Sequence, residues 1–162
     1  MKVYISGKIG EGKPSPETLA KFRKAEDMLL EKGYEVFNPT TSGLGGMAEE
    51  CVDQAKADGL ETTWYAEILK LDLDALSFCD VIYMLPDWQG SPGGRTEYQF
   101  AIALKKKILF GEKYSAEDFL RNQFLERIRN GKYELSPSTS LTRAMDQYVE
   151  RNIKGIVLNY ND

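Results

Sequence analysis

The stretch that decides the fold is Asp80-Val-Ile-Tyr-Met-Leu-Pro-Asp-Trp-Gln-Gly-Ser-Pro-Gly-Gly-Arg-Thr-Glu97. It predicts a buried strand over residues 81–85, a loop rich in proline and glycine, and a helix with Glu97 in its first turn. In open α/β sheets, ligands bind outside the carboxyl ends of strands, where loops and helix N-termini meet. Glu97 is therefore a candidate reactive group, although a first-turn acid can also simply complement the helix dipole.

Strand-like and helix-like segments alternate on both sides of this stretch. Ser15-Pro16-Glu17 has the pattern of a helix N-cap, a proline at the first helical position and an acid in the first turn. Residues 40–60 are rich in glycine and are expected to form a long loop with about one helical turn. The predicted strands cover residues 2–6, 34–37, 81–85 and 107–110, and the predicted helices cover residues 16–32, 61–78, 94–106, 115–129 and 141–152.

This alternation predicts an α/β fold with a doubly wound, mostly parallel sheet of four to five strands flanked by helices, as in Rossmann-like and flavodoxin-like proteins. The 162 residues are expected to form a single domain, with an α/β core at residues 1–110 and a helical C-terminal extension at residues 111–162. Within the extension, the apolar piece Ile156-Val-Leu158 is expected to be an edge strand or an oligomer contact.

Composition narrows the classes of partner and compartment. The net charge of −4 and the absence of a basic tract argue against binding to a nucleic acid polymer. No apolar run approaches the roughly 20 residues of a membrane helix, and the N-terminus lacks the long apolar core of a signal peptide. Cys51 and Cys79 show no metal-ligand spacing, so a reduced, cytoplasmic setting without a metal is the simplest expectation.

The chain contains no histidine. This excludes Ser-His-Asp and Cys-His catalysis, histidine zinc sites and histidine general bases in this subunit. Acid–base or nucleophilic chemistry must therefore use Asp, Glu, Tyr, Lys, Ser or Cys.

A glycine-rich loop follows the first predicted strand. The pattern Gly7-x-x-x-x-Gly12-Lys13 matches a phosphate-binding P-loop up to its last position, where Pro14 replaces the Ser or Thr that would bind Mg²⁺. Because Pro14 also delays the start of the helix, a P-loop NTPase is not favoured. A glycine loop that lies near a ligand is the better interpretation.

Two further motifs contain carboxylates. In Asp72-Leu-Asp74-Ala-Leu-Ser-Phe-Cys-Asp80, the ordinary interpretation makes Asp74 and Asp72 solvated charges on a helix. In Ser91-x-Gly93-x-x-x-Glu97, the small residues allow close packing of the helix, and its N-terminal N–H groups can face an anion.

Together these motifs resemble the nucleoside 2-deoxyribosyltransferase superfamily, including its 2′-deoxynucleoside 5′-monophosphate N-hydrolase branch. Tyr4-Ile-Ser-Gly7-Lys-Ile9-Gly-Glu-Gly12 has the spacing of the first loop of that family. Asp72-Leu73-Asp-Ala-Leu76-Ser-Phe-Cys-Asp80 resembles its acidic motif, and Ser91-Pro-Gly93-Gly-Arg-Thr-Glu97 with Ala101 resembles its glycine turn and glutamate helix. The resemblance covers residues 1 to about 110.

The resemblance implies a role for each matched position. Glu97 would attack C1′ of a deoxyribosyl group, and Asp72 would be its acid–base partner near the leaving base. In a retaining glycosidase, two such carboxyl groups lie about 5–5.5 Å apart, and neither a metal nor another cofactor is required. The resemblance also implies a homo-oligomer that acts on a small nucleoside or nucleotide. Ser91 and the loop Gly7–Gly12 would bind a 5′-phosphate, and the substrate-binding residues would be Tyr4, Ser6, Gly7, Ile9, Gly12, Asp87, Trp88, Ser91 and Gly93.

Two alternatives remain open at this level. Trp64, Tyr65 or Trp88 could supply an aromatic wall for the base, since stacking on a base contributes about 1–3 kcal/mol in single-stranded nucleic acid binding; Trp64 could equally be a core residue. The second alternative concerns function, because the same fold could serve as a non-catalytic module that binds or senses nucleotides.

Overall fold

The computed structural model describes residues 1–111 and 113–161, and it describes side chains except those of residues 113–115 and 156–161. The chain divides into two compact units, residues 1–108 and residues 109–162. The elements in chain order are β1 (Lys2–Ser6), α1 (Pro16–Glu31), β2 (Glu35–Phe37), α2 (Leu44–Ala57), α3 (Trp64–Ser77), β3 (Val81–Met84), a 3₁₀ turn (Trp88–Gly90), α4 (Pro92–Ala103), β4 (Lys107–Phe110), α5 (Lys113–Arg129) and α6 (Leu141–Asn161).

The strands form one parallel sheet in the order β2-β1-β3-β4. Val3 pairs with Val36 on one side and with Val81 on the other, so β1 is a central strand. Such strands are covered on both faces, which explains why β3 is a continuous run of buried residues. The predicted doubly wound α/β class is confirmed.

The order of the strands locates the crevice where a ligand would bind. The chain moves from β1 to β2 on one side of the sheet and then returns across β1 to β3 and β4 on the other side. The switch point lies between β1 and β3, and Ser6 pairs with Met84 at their carboxyl ends. Ligands in open α/β sheets bind outside such a switch point, so the residues near Ser6 and Met84 define the region of interest.

The prediction of a long loop at residues 40–60 was wrong, because this segment contains the 14-residue helix α2. Gly43 has a left-handed backbone conformation with φ of 77° and marks the start of the helix. From Met47 to Ala57 the sequence consists mainly of good helix formers, and α2 packs on α3 with Ala48 fully buried. The glycines at the start of the segment lower its local helix propensity, and tertiary packing overrides that preference.

Two other helices also differ from the prediction, α1 in its buried face and α6 in its length. The apolar residues Leu19, Phe22, Ala25, Leu29 and Leu30 of α1 are expected to share one face, but only Phe22, Ala25 and Leu29 are buried, whereas Leu19 and Leu30 are 39% and 51% exposed. The helix α6 extends to residue 161, so Ile156-Val-Leu158 lies in a helix and not in an edge strand. The side chains of this apolar piece lie outside the described residues, and an oligomer contact there stays a prediction.

Among the described helices, none combines the length and apolar character needed to cross a bilayer.

Candidate active site

Glu97 is held between two hydroxyl groups of the central strand β1. Tyr4 Oη donates to Glu97 Oε1 at 2.8 Å, and Ser6 Oγ donates to Glu97 Oε2 at 2.5 Å. Tyr4 and Ser6 are two residues apart and therefore point to the same face of the sheet, towards α4. All three side chains are buried, with Glu97 only 7% exposed. The structure thus brings Tyr4, Ser6 and Glu97 together near the switch point of the sheet.

The N-terminus of α4 explains how Glu97 reaches this position. Ser91 is the N-cap, and its Oγ accepts a hydrogen bond from the N–H of Gly94 at 3.1 Å. Pro92 is the first helical residue, so the helix begins two residues before the predicted start and Glu97 lies in the second turn. The prediction that Glu97 is a first-turn acid was therefore wrong. A Cβ at Gly94 would lie 2.9 Å from the carbonyl oxygen of Trp88, so only glycine fits this close approach.

Asp72 is a buried carboxyl group on α3, with 8% of the residue exposed. Its Oδ1 atom has no hydrogen-bond partner among the described residues. The interpretation of this motif as solvated charge therefore holds for Asp74, which is exposed, and was wrong for Asp72. A buried polar atom that lacks a partner lowers the free energy of unfolding by about 1–3 kcal/mol. Asp72 is therefore a candidate for a functional residue.

Burial and mutual repulsion disfavour ionisation of these carboxyl groups. Burial raises the pKa of Asp72 above its ordinary value. Burial also raises the pKa of Glu97, the charge of Asp72 raises it further, and the hydrogen bonds from Ser6 and Tyr4 lower it. The pKa of Tyr4 is raised by burial and by both carboxylates, so its hydroxyl remains a donor. The hydrogen bonds from Ser6 and Tyr4 favour the charged form of Glu97, whereas Oδ1 of Asp72 has no donor among the described residues.

Asp72 faces a cleft of about 500 Å³, a size typical of small-molecule sites. Trp64 borders the same cleft, and its indole N–H donates to the carbonyl oxygen of Gly45 at 3.2 Å. Trp88 is instead buried against Tyr98, with ring centroids 4.9 Å apart, and does not line this cleft. The lining residues are Ile9, Gly12, Lys13, Pro14, Pro39, Thr40, Gly43, Gly45, Gly46, Glu49, Trp64, Ile68 and Asp72.

Asp87 holds the loop between β1 and α1 in place. It accepts the N–H of Lys8 at 3.2 Å and forms an ion pair of 2.5 Å with Lys21, which also donates to the carbonyl oxygen of Lys8 at 2.7 Å. A Cβ at Gly7 would lie 2.7 Å from the Leu85 side chain, which shows how closely the ends of β1 and β3 approach. Sequence reasoning missed Lys21, because its partner is 66 residues away and no local pattern links the two.

The remaining predicted binding residues fall into two groups. Ile9 and Gly12 line the cleft that contains Asp72. Ser91 is used as a helix cap, and a Cβ at Gly93 would lie 3.3 Å from the hydroxyl of Tyr65, which is 49% exposed. Across the described residues, no three Cys, Asp or Glu side chains form a group that could hold a metal ion.

The chain was compared with known protein families, curated proteins and solved structures. Residues 1–110 match the domain of unknown function DUF4406. The chain belongs to the DUF4406 family. No curated protein and no solved structure matches it. The stretch shared with the DUF4406 family runs from β1 to β4 and includes Glu97, Asp72 and the whole lining of the cleft.

Proposed function

We propose that this DUF4406 protein breaks the N-glycosidic bond of a deoxynucleoside or deoxynucleoside 5′-monophosphate. The observation that carries the proposal is the pair of buried carboxyl groups: Glu97, held by Tyr4 and Ser6, and Asp72, which has an unpartnered oxygen at a cleft. Glycosidases use a pair of carboxyl groups whose different environments give them different roles. The resemblance to nucleoside 2-deoxyribosyltransferases names the substrate class.

In the proposed reaction, the Glu97 carboxylate attacks C1′ and forms a glycosyl ester as the bond from C1′ to the base breaks. Protonated Asp72 gives its proton to the departing base. Water or a second base then attacks C1′, Asp72 takes the proton of the attacking group, and the Glu97 carboxylate is restored. Ser6 and Tyr4 hold both Glu97 oxygens by hydrogen bonds, and this orients the carboxylate for attack.

A second candidate is a non-catalytic module that binds nucleotides in the same cleft. It is favoured by one observation: both oxygens of Glu97 already accept hydrogen bonds, and Glu97 is not among the residues that line the described cleft. In this alternative, Glu97 joins β1 to α4, and of these two carboxyl groups only Asp72 faces the ligand.

Base release from the four common deoxynucleosides and their 5′-monophosphates distinguishes the two candidates. The wild-type protein should release at least one base, and Glu97→Gln should reduce the rate roughly a thousandfold or more, since a nucleophile cannot be replaced by its amide. Glu67→Gln is the matched control, because Glu67 is also buried at 8% exposure but pairs with Lys70 and Thr62. Similar rates in the wild type and Glu97→Gln would contradict the nucleophile, and ligand binding without turnover would favour the binding module.

A further inference from the structure

The N-terminus of α2 lies at the cleft and consists mainly of glycine. Gly43 is the N-cap residue and has no side chain that could cap the helix, Ser42 Oγ accepts the N–H of Leu44 at 3.3 Å, and the first turn contains no acidic residue. Gly43, Gly45 and Gly46 all line the cleft. The first N–H groups of a helix have no partner within the helix and carry a partial positive charge. This end of the cleft therefore presents donors and positive potential.

The two glycines in the first turn of α2 are not required by packing. A Cβ at Gly46 would meet no atom within 4 Å, and at Gly45 it would make only an ordinary contact of 3.7 Å with Trp64. Glycine in a helix is less favourable than alanine by about 1 kcal/mol. Two consecutive glycines that weaken the helix and fill no tight space fit a site where a ligand approaches the backbone.

The cleft is lined by one basic side chain and two acidic side chains. Lys13 lines it, and the structure shows no ion pair between Lys13 and another described residue. Asp72, which is more than nine-tenths buried, lines the same cleft, and its Oδ1 atom has no donor among the described residues. The third charged residue of the lining is Glu49, which is exposed. A ligand that satisfies both groups carries an anionic group beside Lys13 and a hydrogen-bonding group beside Asp72.

We infer that the cleft selects a phosphate monoester, with the phosphate at the N–H groups of Gly45 and Gly46 and beside Lys13, and with the nucleoside portion near Asp72. The inference rests on the proposed function and names the substrate class as nucleoside 5′-monophosphates. It differs from the arrangement that the sequence resemblance implies, in which Ser91 binds the phosphate. Ser91 Oγ is engaged with the N–H of Gly94 at the start of α4.

The test measures binding separately from turnover. Calorimetric titrations use the Glu97→Gln protein, which cannot consume its ligand by the proposed mechanism, with the four deoxynucleosides and their 5′-monophosphates as probes. At least one monophosphate should bind about tenfold or more tightly than its nucleoside, since each 1.4 kcal/mol is a tenfold change. Adding Lys13→Met or Gly46→Ala should remove most of that preference and leave the affinity for the nucleoside within about twofold.

Two matched variants complete the design. Lys24→Met removes an exposed lysine of α1 that lies outside the cleft lining, and it should leave the preference unchanged. Gly46→Ala should raise the melting temperature because it removes a helical glycine, so weaker phosphate binding there cannot come from unfolding. Ser91→Ala tests the other location of the phosphate.

The outcomes separate the two proposals. Loss of the monophosphate preference in Lys13→Met and Gly46→Ala supports the inference, whether or not the wild-type protein releases a base. Equal affinity for nucleosides and monophosphates overturns it, as does binding of none of the probes. A preference that survives in both variants and disappears in Ser91→Ala also overturns it, and wild-type base release in that case would leave the proposed function intact.

Discussion

Replacing Asp72 by Asn should stabilise the protein more at alkaline pH than at acidic pH. Burial raises the pKa of Asp72 from its ordinary value of 3.8 to about 7 in the folded protein. A carboxyl whose pKa is higher in the folded state than in the unfolded state contributes its full stability below the unfolded value, and that contribution is lost as the pH rises through the folded value. The wild-type protein therefore loses this contribution to stability between about pH 4 and about pH 7.

The size of the effect follows from the same shift. Roughly three pH units at about 1.4 kcal/mol each set an upper value near 4 kcal/mol for the cost of ionising Asp72 in the folded protein. An amide of the same shape carries no charge, so Asp72→Asn avoids this cost. We expect the free energy of unfolding of the variant to exceed that of the wild type by about 2–4 kcal/mol at pH 8, and by about 1 kcal/mol at pH 4.5.

Urea denaturation of both proteins at pH 4.5 and pH 8 measures this difference. The control is Asp74→Asn, which removes an exposed carboxylate from the same helix. It should change the free energy of unfolding by the same amount at pH 4.5 and at pH 8. A wild-type protein and an Asp72→Asn variant with parallel pH profiles would refute the argument that Asp72 is ionised at the expense of stability. A confirmed difference would mean that the chain retains a destabilising carboxyl, as proteins do at functional sites.

Two further predictions concern the residues that support the site. Tyr4→Phe removes the hydrogen bond that lowers the pKa of Glu97, so the acidic limb of the pH–rate profile for base release should move to higher pH by about one unit; an unmoved limb would contradict the proposed role of Tyr4. Gly7→Ala places a Cβ 2.7 Å from the Leu85 side chain and should lower the free energy of unfolding by about 1–3 kcal/mol in urea denaturation. Gly90→Ala, where a Cβ meets no atom within 4 Å, is its control, and equal stability of the two variants would show that β1 and β3 can move apart.

The elements that sequence analysis predicted well are those that local patterns specify. The strand β1 covers the predicted residues 2–6 around its apolar run, and the N-cap of α1 is Ser15, whose Oγ accepts the N–H of Thr18 at 3.2 Å. Capping groups and apolar runs act over a few residues, so the chain reveals them without knowledge of its fold. The alternation of such elements was sufficient to predict the parallel sheet.

Sequence analysis failed where packing overrides a local preference. Gly45 and Gly46 suggested a loop, but the contact of α2 with α3 makes the segment helical. The helical pattern around Asp72 gave no sign that one of its two acids is buried and the other exposed. Burial depends on which elements cover a side chain, and that information is spread over the whole chain.

The sequence by itself determined the α/β class, the candidate acids Glu97 and Asp72, and the exclusion of histidine chemistry. Only the tertiary structure decided which groups meet. Tyr4 reaches Glu97 across 93 residues, and Lys21 reaches Asp87 across 66. The physical reason is that hydrogen bonds and ion pairs require contact within a few ångströms, and contacts between residues so distant in the chain arise only when the sheet and its helices have assembled.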